Sequence, residues 1–128
     1  MSSKKDQVMQ AALRLFVERG FEGTSTAEIT RNAGVAAGTL FHHFDSKENL
    51  INAIYMKVKS DISETFRQAI QNDDDAKTKF LSVWSSFMRF CVDNPDSFRF
   101  AEIFSNSAQI SERTAEQAKA QFLDILHN

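Results

Sequence analysis

The sequence predicts an all-α protein. Its 128 residues include only four glycines and one proline, too few for a turn-rich β protein, while 42% of the residues are hydrophobic. Apolar residues recur at steps of three and four along most of the chain, which is the period of a helix with one buried face. No stretch shows the alternation of apolar and polar residues that is typical of strands.

Composition excludes several classes of protein. Cys91 is the single cysteine, so the chain has no internal disulfide, and no Cys/His cluster with zinc-ligand spacing is present. No apolar run approaches the roughly 18 to 20 residues of a membrane span, and residues 1–10 lack the apolar core of a signal peptide. We therefore expect a cytoplasmic protein with no membrane partner, no metal and no cofactor.

The small net charge of -2 hides a difference between the two halves. Up to Lys59 there are eight Lys and Arg against six Asp and Glu, whereas from Ser60 onward there are seven against eleven. A slightly basic head joined to an acidic body is compatible with binding nucleic acid, although a solvated surface can give the same excess.

One long helix and two short helices are predicted before residue 46. The first ends at Gly20 and carries an apolar stripe of Val8, Ala12, Leu15 and Phe16. Ser25 and Glu28 form a capping-box pattern, so the second helix begins near Thr26, and Gly34 ends it. A third helix carries Leu40 and Phe44, four residues apart on one buried face.

Four longer helices follow. Asp45 or Ser46 caps the fourth, whose apolar residues repeat every four positions over about 25 residues. Residues 73–75 are three aspartates, which we interpret as the acidic start of the fifth helix rather than as a calcium loop. Asn94 and Pro95 separate the fifth helix from the sixth, and Ser111 caps the seventh.

The second and third helices have the requirements of a helix-turn-helix. Ile29, Val35, Leu40 and Phe44 can form the small core that sets the interhelical angle, and Gly34 permits the tight turn. The opposite face of the third helix is then free to enter a DNA groove. Lys47, at the start of the fourth helix, can meet a phosphate with its own charge and the helix dipole.

The stretch from Phe21 to Leu50 closely resembles the DNA-binding signature of the TetR family of transcriptional regulators. Gly34-Val35, Gly38-Thr39-Leu40 and Phe44-x-Ser46-Lys47-Glu48 all fall in register, and the match covers roughly the first 55 residues. The resemblance implies a three-helix DNA-binding head over residues 1–48. It also implies that residues 49–128 form a connecting helix and a partial helical body that binds a small inducer and dimerises.

Carried over by position, the resemblance assigns DNA contact to eight residues: Thr26, Ala37, Gly38, Thr39, Phe41, His42, His43 and Lys47. Phe41 stands where the family commonly has tyrosine, so its contact is expected to be apolar. Base readout then rests on Thr39, His42 and His43. The adjacent histidines do not predict a metal site, because helical neighbours point about 100° apart and no third ligand is nearby.

Four residues of the body are candidates for an inducer pocket: Trp84, Phe87, Met88 and Phe104. Aromatic residues at helical spacing are as typical of a plain core as of a pocket, and only the resemblance favours the pocket. Cys91 lies on the same kind of stripe and is expected to be an inert thiol.

We therefore expect a ligand-responsive, sequence-specific transcriptional regulator, of the repressor type usual in this family, released from operator DNA by a small apolar inducer. The alternative is a helical small-molecule or protein-binding module without DNA-binding activity. No catalytic residues are predicted, because nothing assembles an acid, a base and an oxyanion donor. The apolar stripe of the seventh helix is expected to lack a partner, so a shortened form should self-associate or bind one half-site weakly, whereas the complete body would form a homodimer.

Overall fold

The computed structural model describes residues 3–71 and 75–127, and the predicted all-α class is confirmed. No strand occurs in these two ranges. They contain seven helices: α1 (Lys4–Arg19), α2 (Thr26–Ala33), α3 (Ala37–His43), α4 (Lys47–Ala69), α5 (Ala76–Asp93), α6 (Pro95–Phe104) and α7 (Glu112–His127). None of these helices combines the length and the apolar character that a membrane-spanning helix requires.

Local capping sets the end of α1 and both ends of α2 as predicted. Ser25 and Glu28 form the capping box, with the Glu28 amide donating to Ser25 Oγ at 3.1 Å. Gly34 ends α2 in the left-handed region at φ 72°, which favours glycine because a Cβ would be strained there. Gly20 ends α1 with φ 80° for the same reason.

A single helix, α4, connects the head to the body. Asp45 and Ser46 were the two predicted caps. Ser46 is the N-cap, because its hydroxyl accepts a hydrogen bond from the Asn49 amide at 3.0 Å. The helix has 23 residues, which corresponds to roughly 34 Å at 1.5 Å per residue.

The helices of the body also begin at predicted residues. Asp75 caps α5 through the Thr78 amide, which donates to Asp75 Oδ1 at 2.7 Å; Asp73 and Asp74 lie outside the described residues. Pro95 occupies the first turn of α6, and Ser111 Oγ accepts from the Thr114 amide at the start of α7.

One continuous core joins the head to the body. Phe16 of α1 is fully buried, with its ring 5.5 Å from that of Phe21 and 6.4 Å from that of Phe104 on α6. Phe100 is buried beside them. The predicted boundary between residues 48 and 49 falls in the first turn of α4. The division into a DNA-binding head and a regulatory body stays a prediction.

The apolar stripe of α7 does have a partner, contrary to the sequence-based expectation. It packs against α4, where Ala118 is buried and the rings of Phe66 and Phe122 lie 5.4 Å apart. Exposed apolar side chains are concentrated instead on α5, which has no buried residue and exposes Phe80 by 68%. Helical periodicity locates an apolar stripe but does not reveal which stripe a neighbour covers.

Candidate DNA-binding face and body cavity

The angle between α2 and α3 is held by a small core and by backbone hydrogen bonds. Ile29 and Leu40 are fully buried, and Val35 beside them is partly buried. The Val35 amide donates to the Thr30 carbonyl at 3.1 Å, which closes the turn at Gly34. This arrangement is the predicted helix-turn-helix, and it presents one face of α3 outward.

The outward face of α3 contains the residues predicted to contact DNA. Ala37, Gly38, His42 and His43 are exposed, and Phe41 is exposed by 55%. Thr39 is partly buried on the same helix. A Cβ added to Gly38 would meet no protein atom within 4 Å, so the space above its backbone is open to a partner.

Thr26 is the first residue of α2 and is partly exposed. The rings of His42 and His43 meet edge to face, with their centroids 4.9 Å apart. No three His, Cys, Asp or Glu side chains come together as a metal site within residues 3–71 and 75–127. The two imidazoles are therefore available as hydrogen-bonding groups at the tip of the recognition helix.

Lys47 has a contact that the sequence did not predict. Its ammonium donates to the Phe21 carbonyl at 2.8 Å and to the Thr24 carbonyl at 3.1 Å, and it lies 4.3 Å from the centre of the Phe21 ring. The side chain thus ties the first turn of α4 to the α1–α2 connection. An ammonium group has three donors, so one remains for a phosphate.

Two further contacts hold the α1–α2 connection. Thr24 is only 2% exposed, and its hydroxyl lies 2.8 Å from the Gly20 carbonyl and 3.2 Å from the Leu15 carbonyl. Arg19 at the end of α1 forms an ion pair with Glu28 in α2. Neither contact could be read from helical periodicity, because both depend on polar groups that meet across the α1–α2 connection.

The body has a cavity of about 590 Å³, partly open to solvent, between α4, α5, α6 and α7. Its volume is within the range usual for small-molecule sites. Most of its wall is aromatic or aliphatic, with a few polar groups. The lining residues on α4 are Tyr55, Lys59, Ile62, Ser63 and Phe66, and the other helices contribute Phe87, Phe98, Ala101, Glu102, Ala115, Ala118, Lys119 and Phe122.

Of the four residues predicted to bind the inducer, the structure places one in this wall. Phe87 lines the cavity, with its ring 5.7 Å from that of Phe66. Trp84 and Met88 lie outside the lining, exposed by 56% and 40%. Phe104 is buried in the core that joins head and body, so it is a packing residue in this structure.

The polar residues of the cavity were not predicted from the sequence. Tyr55, Lys59 and Ser63 follow one another at four-residue steps along α4, beside the apolar stripe that had been recognised. That spacing was the available signal, because residues four apart share one helix face. Only the positions of α6 and α7 reveal that this face borders a cavity.

Comparison with known proteins supports the resemblance. A family model described as "Bacterial regulatory proteins, tetR family" matches residues 8–54. A curated relative, the transcriptional repressor KstR2 of Rhodococcus jostii, is 32% identical over 76 residues, or 59% of this chain and 37% of the relative. The transcriptional activator FasR of Mycolicibacterium smegmatis is 28% identical over 116 residues, or 91% of this chain and 52% of the relative.

Solved structures extend the likeness to the body. A tetR-family transcription regulator from Shewanella is 35% identical with a TM-score of 0.88, covering 98% of this chain and 66% of that one. One from Marinobacter aquaeolei has a TM-score of 0.89 at 22% identity, which shows the fold. The chain spans between about a third and a half of these curated relatives and about two thirds of the solved chains. It belongs to the TetR family of transcriptional regulators, with the DNA-binding head of that family over residues 8–54.

Proposed function

We propose that this chain is a ligand-responsive, sequence-specific DNA-binding regulator of transcription, a repressor that leaves its operator when a small, largely apolar inducer fills the body cavity. The observation that carries the proposal is the exposed face of α3 on a head that α4 connects directly to the cavity wall. Such a regulator acts on the chromosome, and its proposed place of action is therefore the cytoplasm.

The recognition face is suited to the major groove of DNA. Ala37 and Gly38 at the start of α3 leave room for the backbone to approach the duplex. Thr39, His42 and His43 offer hydrogen bonds to base edges or phosphates. Phe41 offers apolar contact with a thymine methyl group or a sugar.

Helix α4 belongs to both the head and the cavity wall, so a movement of α4 would couple the two. Lys47 fastens the first turn of α4 to the head, and Tyr55, Lys59 and Phe66 of the same helix line the cavity. A ligand that binds more tightly to one position of α4 than to another will shift the population of head orientations by its difference in affinity. Two chains in a homodimer would present their α3 helices to half-sites about 34 Å apart.

Selection of bound fragments from genomic DNA would test this function. We expect one enriched two-half-site sequence whose binding, measured by fluorescence anisotropy, falls steeply with salt because phosphate contacts release counterions. Thr39→Ala and His42→Ala should each cost about 1 to 3 kcal/mol at particular base pairs. Gln117→Ala, an exposed change on α7, is the control.

The rival function is a helical binding module without DNA activity. If no duplex is enriched and binding shows no salt dependence while a ligand still enters the cavity, the module replaces the regulator. If both α3 variants keep the wild-type affinity for every DNA sequence, α3 is not the recognition helix.

A further inference from the structure

The cavity in the body is not uniformly apolar. Three ionisable side chains border it, Lys59 on α4, Lys119 on α7 and Glu102 on α6. Two cations against one carboxylate leave an excess of positive charge in a wall that is otherwise mostly aromatic and aliphatic. Lys119 and Glu102 are exposed to solvent, whereas Lys59 is partly buried, so an apolar ligand alone would leave the Lys59 ammonium without a partner.

Lys59 is the most constrained of the three. It is partly buried, its Nζ lies 5.4 Å from the centre of the Tyr55 ring, and burial lowers the pKa of the Lys59 ammonium. None of the ion pairs formed within residues 3–71 and 75–127 includes Lys59. A partly desolvated ammonium without a carboxylate partner is unfavourable, and an incoming anion would relieve that cost.

Lys119 on α7 lies at about the same level along the helix axis as Lys59 on α4. Asn52 of α4 pairs with Ser111 at the start of α7, and the Ser60 hydroxyl donates to Gln121 Oε1 at 3.0 Å. The two helices therefore run in the same direction, nearly in register. Both cations consequently lie in the same section of the cavity.

The section farther from the head is aromatic. The Phe66 ring lies 5.7 Å from that of Phe87 and 5.4 Å from that of Phe122. Phe66 is seven residues beyond Lys59 on α4, which corresponds to about 10 Å along the helix axis. The cavity therefore has a cationic section nearer the head and an aromatic section beyond it.

We propose that the ligand of this cavity is a monoanionic amphiphile, with a carboxylate held by Lys59 beside Lys119 and an apolar body against Phe66, Phe87 and Phe122. This inference rests on the proposed function, in which the same cavity takes the inducer. Glu102 restricts the choice further, because its carboxylate disfavours a second negative charge on the ligand.

Calorimetry with three ligands of equal chain length would test the proposal on the 1–128 chain. The probes are decanoate, decanol and decylamine, which share an apolar body and differ in the charge of the head group. We expect decanoate to bind most tightly and decylamine most weakly. Lys59→Gln should weaken decanoate about tenfold, the usual order for a hydrogen bond to a charged group, and leave decanol unchanged.

Two matched variants control for charge and for folding. Glu102→Gln should strengthen decanoate binding, because it removes the repelling carboxylate, and this opposite sign cannot come from damage to the fold. Lys57→Gln removes an exposed lysine of the same helix, one that pairs with Asp61, and should leave all three affinities unchanged. Each variant is first checked for an unchanged thermal midpoint, and Lys59→Met replaces Lys59→Gln if that midpoint falls.

Equal affinities for decanoate and decanol, a preference for decylamine, or no binding of any probe would each overturn the proposal. An unaltered preference for decanoate in the folded Lys59 variant would do the same. DNA binding is measured separately, without any probe. A chain that ignores DNA refutes the proposed function, whereas the calorimetric ranking alone decides the nature of the ligand.

Discussion

The head and α5 of the body bury their apolar side chains to very different degrees. In the head, Phe16, Ile29 and Leu40 are completely buried, and serine side chains cap the starts of α1 and α2. In the body, α5 has no buried residue and leaves Phe80 and Trp84 more than half exposed. We therefore expect the stability of the chain to depend mainly on the core around α1, whereas α5 adds Phe87 to the cavity wall.

Replacing phenylalanine by alanine should lower the free energy of unfolding much more in the head than on α5. Phe16→Ala removes a fully buried ring at the contact with α6, and we expect it to lower the free energy of unfolding by about 3 to 5 kcal/mol. Phe80→Ala removes an exposed ring and should change it by no more than about 0.5 kcal/mol. Urea denaturation followed by circular dichroism measures both. A loss at Phe80 as large as that at Phe16 would show that α5 is packed in solution.

Lys47→Ala should have an intermediate effect. It deprives the Phe21 and Thr24 carbonyls of their ammonium donor, and we expect a loss of about 1 to 2 kcal/mol, discounted because the group is partly exposed. Lys57→Ala on the same helix, whose lysine is largely exposed, should change stability by less than about 0.5 kcal/mol. Equal stability of the two variants would show that the hydrogen bonds of Lys47 do not stabilise the fold.

The Lys47 variant also tests the phosphate contact predicted from the sequence. If the third donor reaches a phosphate, the slope of log affinity against log salt should fall by about one. An unchanged slope would restrict Lys47 to holding the head on α4. Salt titrations of operator binding by the wild-type and Lys47→Ala chains decide between the two.

Helix caps should contribute similarly in both regions, because a cap is a local interaction. Ser25→Ala in the head and Ser111→Ala in the body each remove the hydroxyl that accepts a backbone amide at a helix start, and we expect a loss of about 1 kcal/mol for each. Thermal unfolding of the two variants provides the comparison. A cost confined to Ser25 would mean that α7 contributes little to the cooperative unit.

The smallest effect concerns Cys91 on α5. Burial raises the pKa of its thiol, so less thiolate is present at a given pH than in an unfolded chain. Alkylation by iodoacetamide at pH 8 should therefore be slower in the native protein than in denaturant. Equal rates would indicate that the segment around Cys91 opens freely.

The sequence predicted local features better than contacts between distant residues, for a physical reason. Ser25, Gly34 and Ser46 act on backbone groups within four residues of themselves, so their roles follow from the local pattern. The role of Trp84 depends on which helices cover α5, and that of Lys47 depends on carbonyls more than 20 residues away. Periodicity along one helix contains neither kind of information.

The hydrogen bonds of Asn52 allow the attachment of α7 to α4 to be followed by amide hydrogen exchange. Its side-chain amide donates to the Gln109 carbonyl, and its Oδ1 accepts the Ser111 amide, each at 2.9 Å. The Ser111 N–H is therefore shielded from deuterium exchange for as long as the α6–α7 loop stays on α4. One backbone proton, followed by NMR as DNA or a cavity ligand is added, would report whether the loop loosens when the regulator changes state.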